Sequence, residues 1–229
     1  MKVFILFITL STMIYAQVMR INTPYRGALY DKVKPFMQEL FKRNHLDVHY
    51  QRLPLKRALI NANTGVDDGD GPRVRMIGEK FKNLIRLEVP ILEISIHAHV
   101  KDKNLLAIKS WKDLKTYRVG VRTGTVIQVN NVKKINPKQI IYVSTNKQLF
   151  QLLEKDRVDV VVAEKFMSRG MKKKLGLEHL KATTSLLHKK MYLYLNKKHK
   201  DKVKAFEKTL LEMQKEGKQE ALKRFYHGK

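Results

Sequence analysis

The sequence predicts an α/β fold of two lobes joined by two hinge strands. Three observations lead to this prediction. Strand and helix patterns alternate along the chain, which is typical of parallel βαβ units. The segment 158–163 is a nearly continuous apolar strand, as expected in a sheet covered on both faces. Two long extended segments, 91–100 and 183–195, bracket one α/β block, and a block entered and left by two strands indicates an inserted lobe with a hinge.

Element by element, the first half of the chain begins with a strand over 17–23. A helix over 29–43 follows, with apolar residues at helical spacing, and then an alternating strand over 46–51. Pro54 precedes a second helix over 55–63, where a proline costs no hydrogen bond. The Asp- and Gly-rich passage 66–72 predicts a turn, and short extended segments are expected over 73–77 and 84–87.

The second half repeats the α/β rhythm. After a polar break at 101–104, the apolar patterns predict strands at 118–122, 139–143 and 158–163, and helices over 126–133, 146–155 and 164–174. A long amphipathic helix over 201–225, interrupted near Gly217, closes the chain. The predicted domains are a first lobe made of 17–97 and 188–229 and a second lobe made of 98–187.

The N-terminus predicts an export signal over residues 1–16. Lys2 precedes the apolar run 3–10, which is shorter than the roughly 20 residues that a membrane span needs. We expect cleavage after Ala16 and a periplasmic protein without membrane insertion. An uncleaved anchor or a buried first strand is the alternative.

Composition excludes several classes of function. The chain has no cysteine, which rules out disulfides, thiol catalysis and cysteine-bound zinc. Its net charge of +26 would suit nucleic acid, but the basic residues are spread along the chain, and RNA- or DNA-binding motifs are missing. We therefore expect no nucleic-acid partner and interpret the charge, densest over 165–204, as solvated surface with a loose attraction to anionic envelope polymers.

The segment 118–125 (RVGVRTGT) is the most informative motif. It predicts a short strand, a Gly/Thr turn at Thr123, Gly124 and Thr125, and a helix beginning at Val126. Free backbone N–H groups and a positive helix dipole at such a corner favour a small anion such as a carboxylate. Thr125 is also an ordinary helix N-cap candidate.

Seven stretches in one order resemble a known family. They are LPLKRAL at 53–59, DGDGPR at 68–73, NLIR at 83–86, WKDL at 111–114, RVGVRTGT at 118–125, RVDVVV at 157–162 and YLYLN at 192–196. Together they resemble the bacterial extracytoplasmic solute-binding proteins of family 3, which include amino-acid receptors of ABC transporters. The resemblance implies two α/β lobes with a ligand cleft between them, no catalysis and no cofactor.

The resemblance also implies a ligand site. It places the carboxylate contact on Arg73 and on the helix start at Gly124 and Thr125, the ammonium contact on Glu164, and an aromatic cover on Tyr25. The family's usual aspartate is Glu164 in this chain, one methylene longer. An ion pair of Arg73 with Asp68 or Asp70 stays open, as does simple packing of Tyr25.

Two further arginines, Arg75 and Arg122, are alternative partners for a carboxylate. His97 and His99 share one strand face but have no evident third ligand, so we expect no metal.

The predicted function is capture of a small amino-acid-like or carboxylate-bearing solute, by a monomer, for transport or sensing. The expected partners are the solute and either ABC transporter membrane subunits or a sensor protein. Two alternatives stay open. One is a dehydratase-like enzyme on the same scaffold, and the other is an envelope-associated sensor or scaffold without a small ligand.

Overall fold

The structure is a computed structural model that describes residues 18–23 and 28–227. The predicted signal segment 1–16 and the predicted aromatic Tyr25 lie outside the described residues. The strands are β1 (Val18–Thr23), β2 (Asp47–Arg52), β3 (Gly69–Val74), β4 (Leu84–Arg86), β5 (Leu92–Val100), β6 (Arg118–Arg122), β7 (Gln139–Val143), β8 (Val160–Glu164) and β9 (Lys181–Asn196).

The α-helices lie between and after these strands. They are α1 (Ala28–Arg43), α2 (Leu55–Thr64), α3 (Ile77–Lys80), α4 (Val126–Ile135), α5 (Asn146–Glu154), α6 (Lys165–Leu175), α7 (Val203–Lys215) and α8 (Lys218–His227). The predicted interruption near Gly217 is confirmed, because α7 and α8 are separate helices and Gly217 has a φ of +75°. None of the described helices has the length and apolar character needed to cross a membrane.

The strands form one curled sheet in the order β2-β1-β3-β9-β5-β8-β6-β7, with β4 added to β9. Parallel pairing joins β1 to β2 and β3 at one end of the sheet, and β6 to β7 and β8 at the other. The antiparallel strands β5 and β9 connect these two parallel groups. This arrangement confirms the predicted α/β class with two hinge strands. The lobe boundaries at 97/98 and 187/188 stay a prediction.

Each parallel group has its own apolar core. In the first group, α1 buries Val33, Met37 and Leu40. In the second, β8 is covered on both faces, because Val160 and Val162 belong to one cluster and Val161 belongs to another. The predicted fully buried strand is therefore confirmed, and its apolar run reflects burial on two faces.

The prediction of a turn over 66–72 is only partly correct, because residues 66–68 form bends whereas Gly69–Val74 is a buried strand. It pairs with β1 at Ile21 and with β9 at Leu195. A Cβ atom at Gly69 would collide with the carbonyl oxygen of Tyr194, so glycine here allows close backbone approach. The extended segment expected over 73–77 is also only partly correct, since β3 ends at Val74 and α3 begins at Ile77.

The strand register creates a gap between the two parallel groups. β3 ends at Val74, opposite Met191 of β9, and β8 ends at Glu164, opposite Ile96 of β5, which in turn pairs with Leu187 of β9. From Met191 to Leu187 the chain advances about 13 Å, at about 3.3 Å per residue. The two strand ends thus approach this gap from opposite sides, and residues 93–95 of β5 and 188–190 of β9 form a two-strand ribbon across it.

The C-terminal helix adds a second connection between the two groups. The ring of Phe166 in α6 lies 5.1 Å from that of Phe225 and 5.9 Å from that of Tyr226. Arg169 of α6 donates to the carbonyl oxygen of Phe225 at 2.9 Å, and the Ser95 N–H in the ribbon donates to the Tyr226 hydroxyl at 3.1 Å. Phe166 consequently belongs to the apolar core of the first strand group.

Candidate functional site

The candidate site is formed by the C-terminal ends of strands that meet the gap. Ligands in open α/β sheets bind beyond these ends, where loops and helix N-termini carry the variable groups. β3 brings Arg73 and Arg75 to the gap from one side. β6 and β8 run parallel, with Val121 opposite Val162. Their last residues, Arg122 and Glu164, therefore lie next to each other on the other side of the gap.

The Gly/Thr turn after β6 has the geometry of an anion-binding corner. Thr123 is fixed to the neighbouring strand, because its N–H and hydroxyl donate to the Val143 carbonyl oxygen at 2.8 and 3.0 Å. Gly124 has a φ of +81°, a conformation that favours glycine. The Thr125 hydroxyl donates to the Arg122 carbonyl oxygen at 2.6 Å and makes no cap hydrogen bond. The N–H groups at the start of α4 therefore have no side-chain acceptor from Thr125.

The side chain of Arg122 has no partner among the described residues. Its Nε is buried and donates to none of them, and no described carboxylate forms an ion pair with its guanidinium. Burial alone lowers its pKa, although an arginine with a lowered pKa still keeps its charge at neutral pH. A partly buried cation without a counter-charge costs free energy, which a bound anion would offset.

Arg73 is engaged with a neighbouring acid. Its Nε and Nη2 donate to the two carboxylate oxygens of Asp70 at 3.0 and 2.7 Å, and both side chains are buried. Of the two partners left open by the sequence, Asp70 is the one in contact. Asp68 instead contacts Lys198 at 2.8 Å and His199 at 2.7 Å. Burial raises the pKa of Asp70, against the opposing effect of Arg73. A ligand contact by Arg73 stays a prediction.

Glu164 caps the helix that follows it. One carboxylate oxygen accepts the Phe166 N–H at 2.7 Å and the other accepts the Met167 N–H at 3.0 Å. Burial raises the pKa of Glu164 to about 7, although these two donors favour the charged form. Its role as an ammonium contact stays a prediction, and the sequence signal for the cap was an acid directly before a helical pattern.

The two strand histidines lie inside the sheet. The His97 ring nitrogens contact the Thr183 carbonyl oxygen at 2.9 Å and the Ser95 hydroxyl at 3.0 Å. His99 is 1% exposed, and its ring nitrogens make no hydrogen bond of good geometry with a described residue. Within residues 18–23 and 28–227 there is no group of three or more acidic, histidine or cysteine side chains that could hold a metal.

Two open depressions of the described residues lie away from the candidate site. Both are shallow and lie on the outer surface, one against α1 at Gln38, Glu39, Lys42 and Arg43, the other against α2 at Pro54, Lys56, Arg57, Ile60 and Asn61. Neither contains a predicted site residue.

Sequence reasoning named Arg122 only as an alternative. Its importance depends on which acids lie near it in space, and the sequence pattern does not contain that information. The available signal was its position at the end of a strand, directly before the Gly/Thr turn.

Comparisons with known proteins identify the fold. The chain matches no protein-family model. An uncharacterized protein of Shewanella oneidensis is 24% identical over 173 residues, which cover 73% of this chain and 65% of that protein.

Solved structures show a closer likeness in fold. A probable amino-acid ABC transporter extracellular-binding protein of Bacillus subtilis has a TM-score of 0.76 at 17% identity, over 93% of this chain and 98% of that one. An ancestral arginine-binding protein bound to glutamine has a TM-score of 0.71 at 19% identity, over 94% and 100% of the two chains. An ancestral amino acid-binding protein described as a precursor of cyclohexadienyl dehydratase has a TM-score of 0.70 at 19% identity, over 90% and 93%. Because these identities are low, the comparisons establish the fold alone. This chain has the two-lobe α/β fold of periplasmic binding proteins.

Proposed function

We propose that the chain is an extracytoplasmic solute-binding protein that holds a small carboxylate-bearing solute between the two strand groups. One observation carries the proposal: the C-terminal ends of β3 and β8 approach one gap from opposite sides, and β5 and β9 cross it as a two-strand ribbon. A ribbon of two strands can bend, so a solute that contacts both sides would favour a closed conformation.

The second strand group supplies the predicted anion contacts. One segment at the end of β6, residues 122–128, contains the unpaired guanidinium of Arg122, the backbone at Gly124 and Thr125, and the N–H groups that begin α4. A carboxylate bound there would receive backbone hydrogen bonds and a charge-assisted contact. Thr123, Gly124 and Thr125 stay predicted ligand contacts, and we add Arg122 to them.

The biological setting belongs to the same proposal. The similar Bacillus subtilis protein is described as a probable amino-acid ABC transporter extracellular-binding protein. We extend to this chain a periplasmic location and delivery of the solute to a transporter or sensor. Acid/base catalysis is the second candidate, since Glu164 has a pKa of about 7. We favour binding because both oxygens of Glu164 already accept hydrogen bonds from α6.

The test combines two measurements on the full chain. We expect a library of amino acids and organic acids to contain a solute that raises the melting temperature and lowers the radius of gyration in small-angle scattering. A library that leaves both quantities unchanged, or a solute that is turned over, would contradict the proposal.

A pair of glycine variants locates the site. Gly124→Ala places a side chain on left-handed backbone in the predicted corner, and Gly176→Ala does the same at the C-terminal end of α6, where φ is +67°. No atom lies within 4 Å of the added Cβ at either position, so both variants should lose a similar stability, about 1 kcal/mol. Only Gly124→Ala should also weaken solute binding.

A further inference from the structure

The strand ends at the gap carry an excess of positive charge. We consider the last residue of each parallel strand and the two residues after it, as far as they are described. This set contains Arg52, Arg75, Arg122 and Lys165, with Glu164 as its acid. The ribbon adds Lys189 and Lys190 together with Glu93, whose carboxylate lies 3.0 Å from His188. Six basic groups therefore accompany two acidic ones.

The carboxylates near this gap already have partners. Glu164 accepts two backbone N–H groups of α6. In the first strand group, Asp70 is bound to Arg73, and Asp67 accepts hydrogen bonds from Asn22 at 2.9 Å and Gln51 at 3.0 Å. An ammonium group entering the described part of the gap would lose water and meet cations, without an uncommitted carboxylate to balance its charge.

A second negative charge on the solute would instead meet cations that have no partner. The Arg122 side chain is unpaired at the end of β6. Arg75 is exposed at the end of β3 and has no acidic partner among the described residues. These two guanidiniums come from strands that approach the gap from opposite sides. A solute with an anionic group at each end could contact both, and its charge would favour closure.

On this basis we propose that the site selects small dianions without an amino group that carry one anionic group at each end, such as C4–C5 dicarboxylates. The inference rests on the proposed function and names the class of solute for that same site. Arg122 and the Gly124–Thr125 corner hold one anionic group, and Arg75 contacts the other.

The experiment uses solutes that differ by one amino group. Isothermal titration of the full chain compares glutarate with glutamate and succinate with aspartate. We expect glutarate or succinate to bind at least tenfold more tightly than its counterpart with an amino group.

Arg122→Gln and Arg157→Gln each remove one positive charge, so a comparison of the two tests the role of Arg122. Arg122→Gln should weaken binding of the preferred dianion at least tenfold. Arg157→Gln removes an exposed arginine before β8, at the far edge of the same strand group, and should leave the affinity within about twofold. Arg122→Lys keeps the charge without the planar fork and should bind with intermediate affinity. A cooperative thermal transition without solute would show that each of the three variants folds.

The outcomes separate the two proposals. If glutamate or aspartate binds as tightly as its deaminated counterpart, the dianion inference is wrong while the solute-binding proposal stands. Equal losses of affinity in Arg122→Gln and Arg157→Gln would also overturn it, because a general field effect would then explain both. If neither these probes nor the wider solute library binds, both proposals fail.

Discussion

Two buried titratable side chains near the ribbon oppose each other in their effect on stability. Burial lowers the pKa of His99 to about 3, so the folded chain keeps this ring neutral while the unfolded chain protonates it near pH 6.5. Burial raises the pKa of Glu164 to about 7, so its neutral form stabilises the folded chain at low pH and this stabilisation is lost as the pH rises through 7. The contribution of His99 has the other sign, because it is complete above pH 6.5 and is lost as the pH falls.

We predict that His99→Leu makes the chain less sensitive to acid. At pH 4.5, two units below the unfolded pKa, protonation of His99 in the unfolded state should cost about 3 kcal/mol of stability, and leucine removes this cost. The measurement is the free energy of unfolding by urea at pH 7.5 and pH 4.5. At pH 7.5 we expect the variant to be at least as stable, since the ring nitrogens lack a well-oriented partner among the described residues.

The comparison needs a histidine control. His49→Gln removes an exposed imidazole from the edge strand β2 and shows how far loss of any histidine changes the curve. Parallel pH profiles for the unsubstituted chain and His99→Leu would contradict the assigned protonation of His99.

Glycine has different structural roles in β3 and α6. In β3, Gly69 lets the strand approach β9 closely. A Cβ added at Gly69 would also come within 2.9 Å of the Ile21 side chain in β1. In α6, Gly170 has no atom within 4 Å of the position of its missing Cβ. The first position therefore depends on tertiary packing, whereas the second depends only on helix propensity.

We predict that Gly69→Ala and Gly170→Ala change stability in opposite directions. Gly69→Ala should destabilise the chain by about 2 kcal/mol or more, because backbone must move to admit the methyl group. Gly170→Ala should stabilise it by about 0.5–1 kcal/mol, since alanine restricts the unfolded chain and suits a helix interior. Thermal or urea unfolding measures both, and a stable Gly69→Ala protein would show that β3 does not pack closely on β9.

At the scale of the whole molecule, the net charge of +26 creates a positive field. Such a field attracts anionic solutes, and added salt weakens it with a screening length of about 8–10 Å at physiological ionic strength. The same field would attract anionic envelope polymers, as the composition predicted.

We predict that salt weakens the binding of glutarate more than that of butyrate, which carries one charge. Between 50 and 500 mM NaCl, the glutarate dissociation constant should rise on the order of tenfold, and that of butyrate should rise less. Isothermal titration at four salt concentrations measures both slopes. Equal slopes would mean that the second carboxylate meets no positive charge in the complex.

The sequence by itself determined the α/β class, the two hinge strands and most helices. These features depend on apolar periodicity and on residues such as Pro54 and Gly217, whose effects act within a few neighbours. It failed over 69–72, where Gly and Asp have the composition of a turn but belong to β3. The reason is physical: only the approach of β9 shows that Gly69 is needed for close packing and that Asp70 has a buried partner in Arg73.

The candidate site, like the fold, could be predicted only in part from the sequence. The corner at Thr123, Gly124 and Thr125 could be predicted because a strand, a turn and a helix start are contiguous in the chain. The partners of Arg73, Glu164 and Arg122 could not, since charge pairing is decided by distances between segments far apart in sequence. Only the tertiary structure showed that Arg73 and Glu164 are already engaged and that Arg122 is unpaired among the described residues.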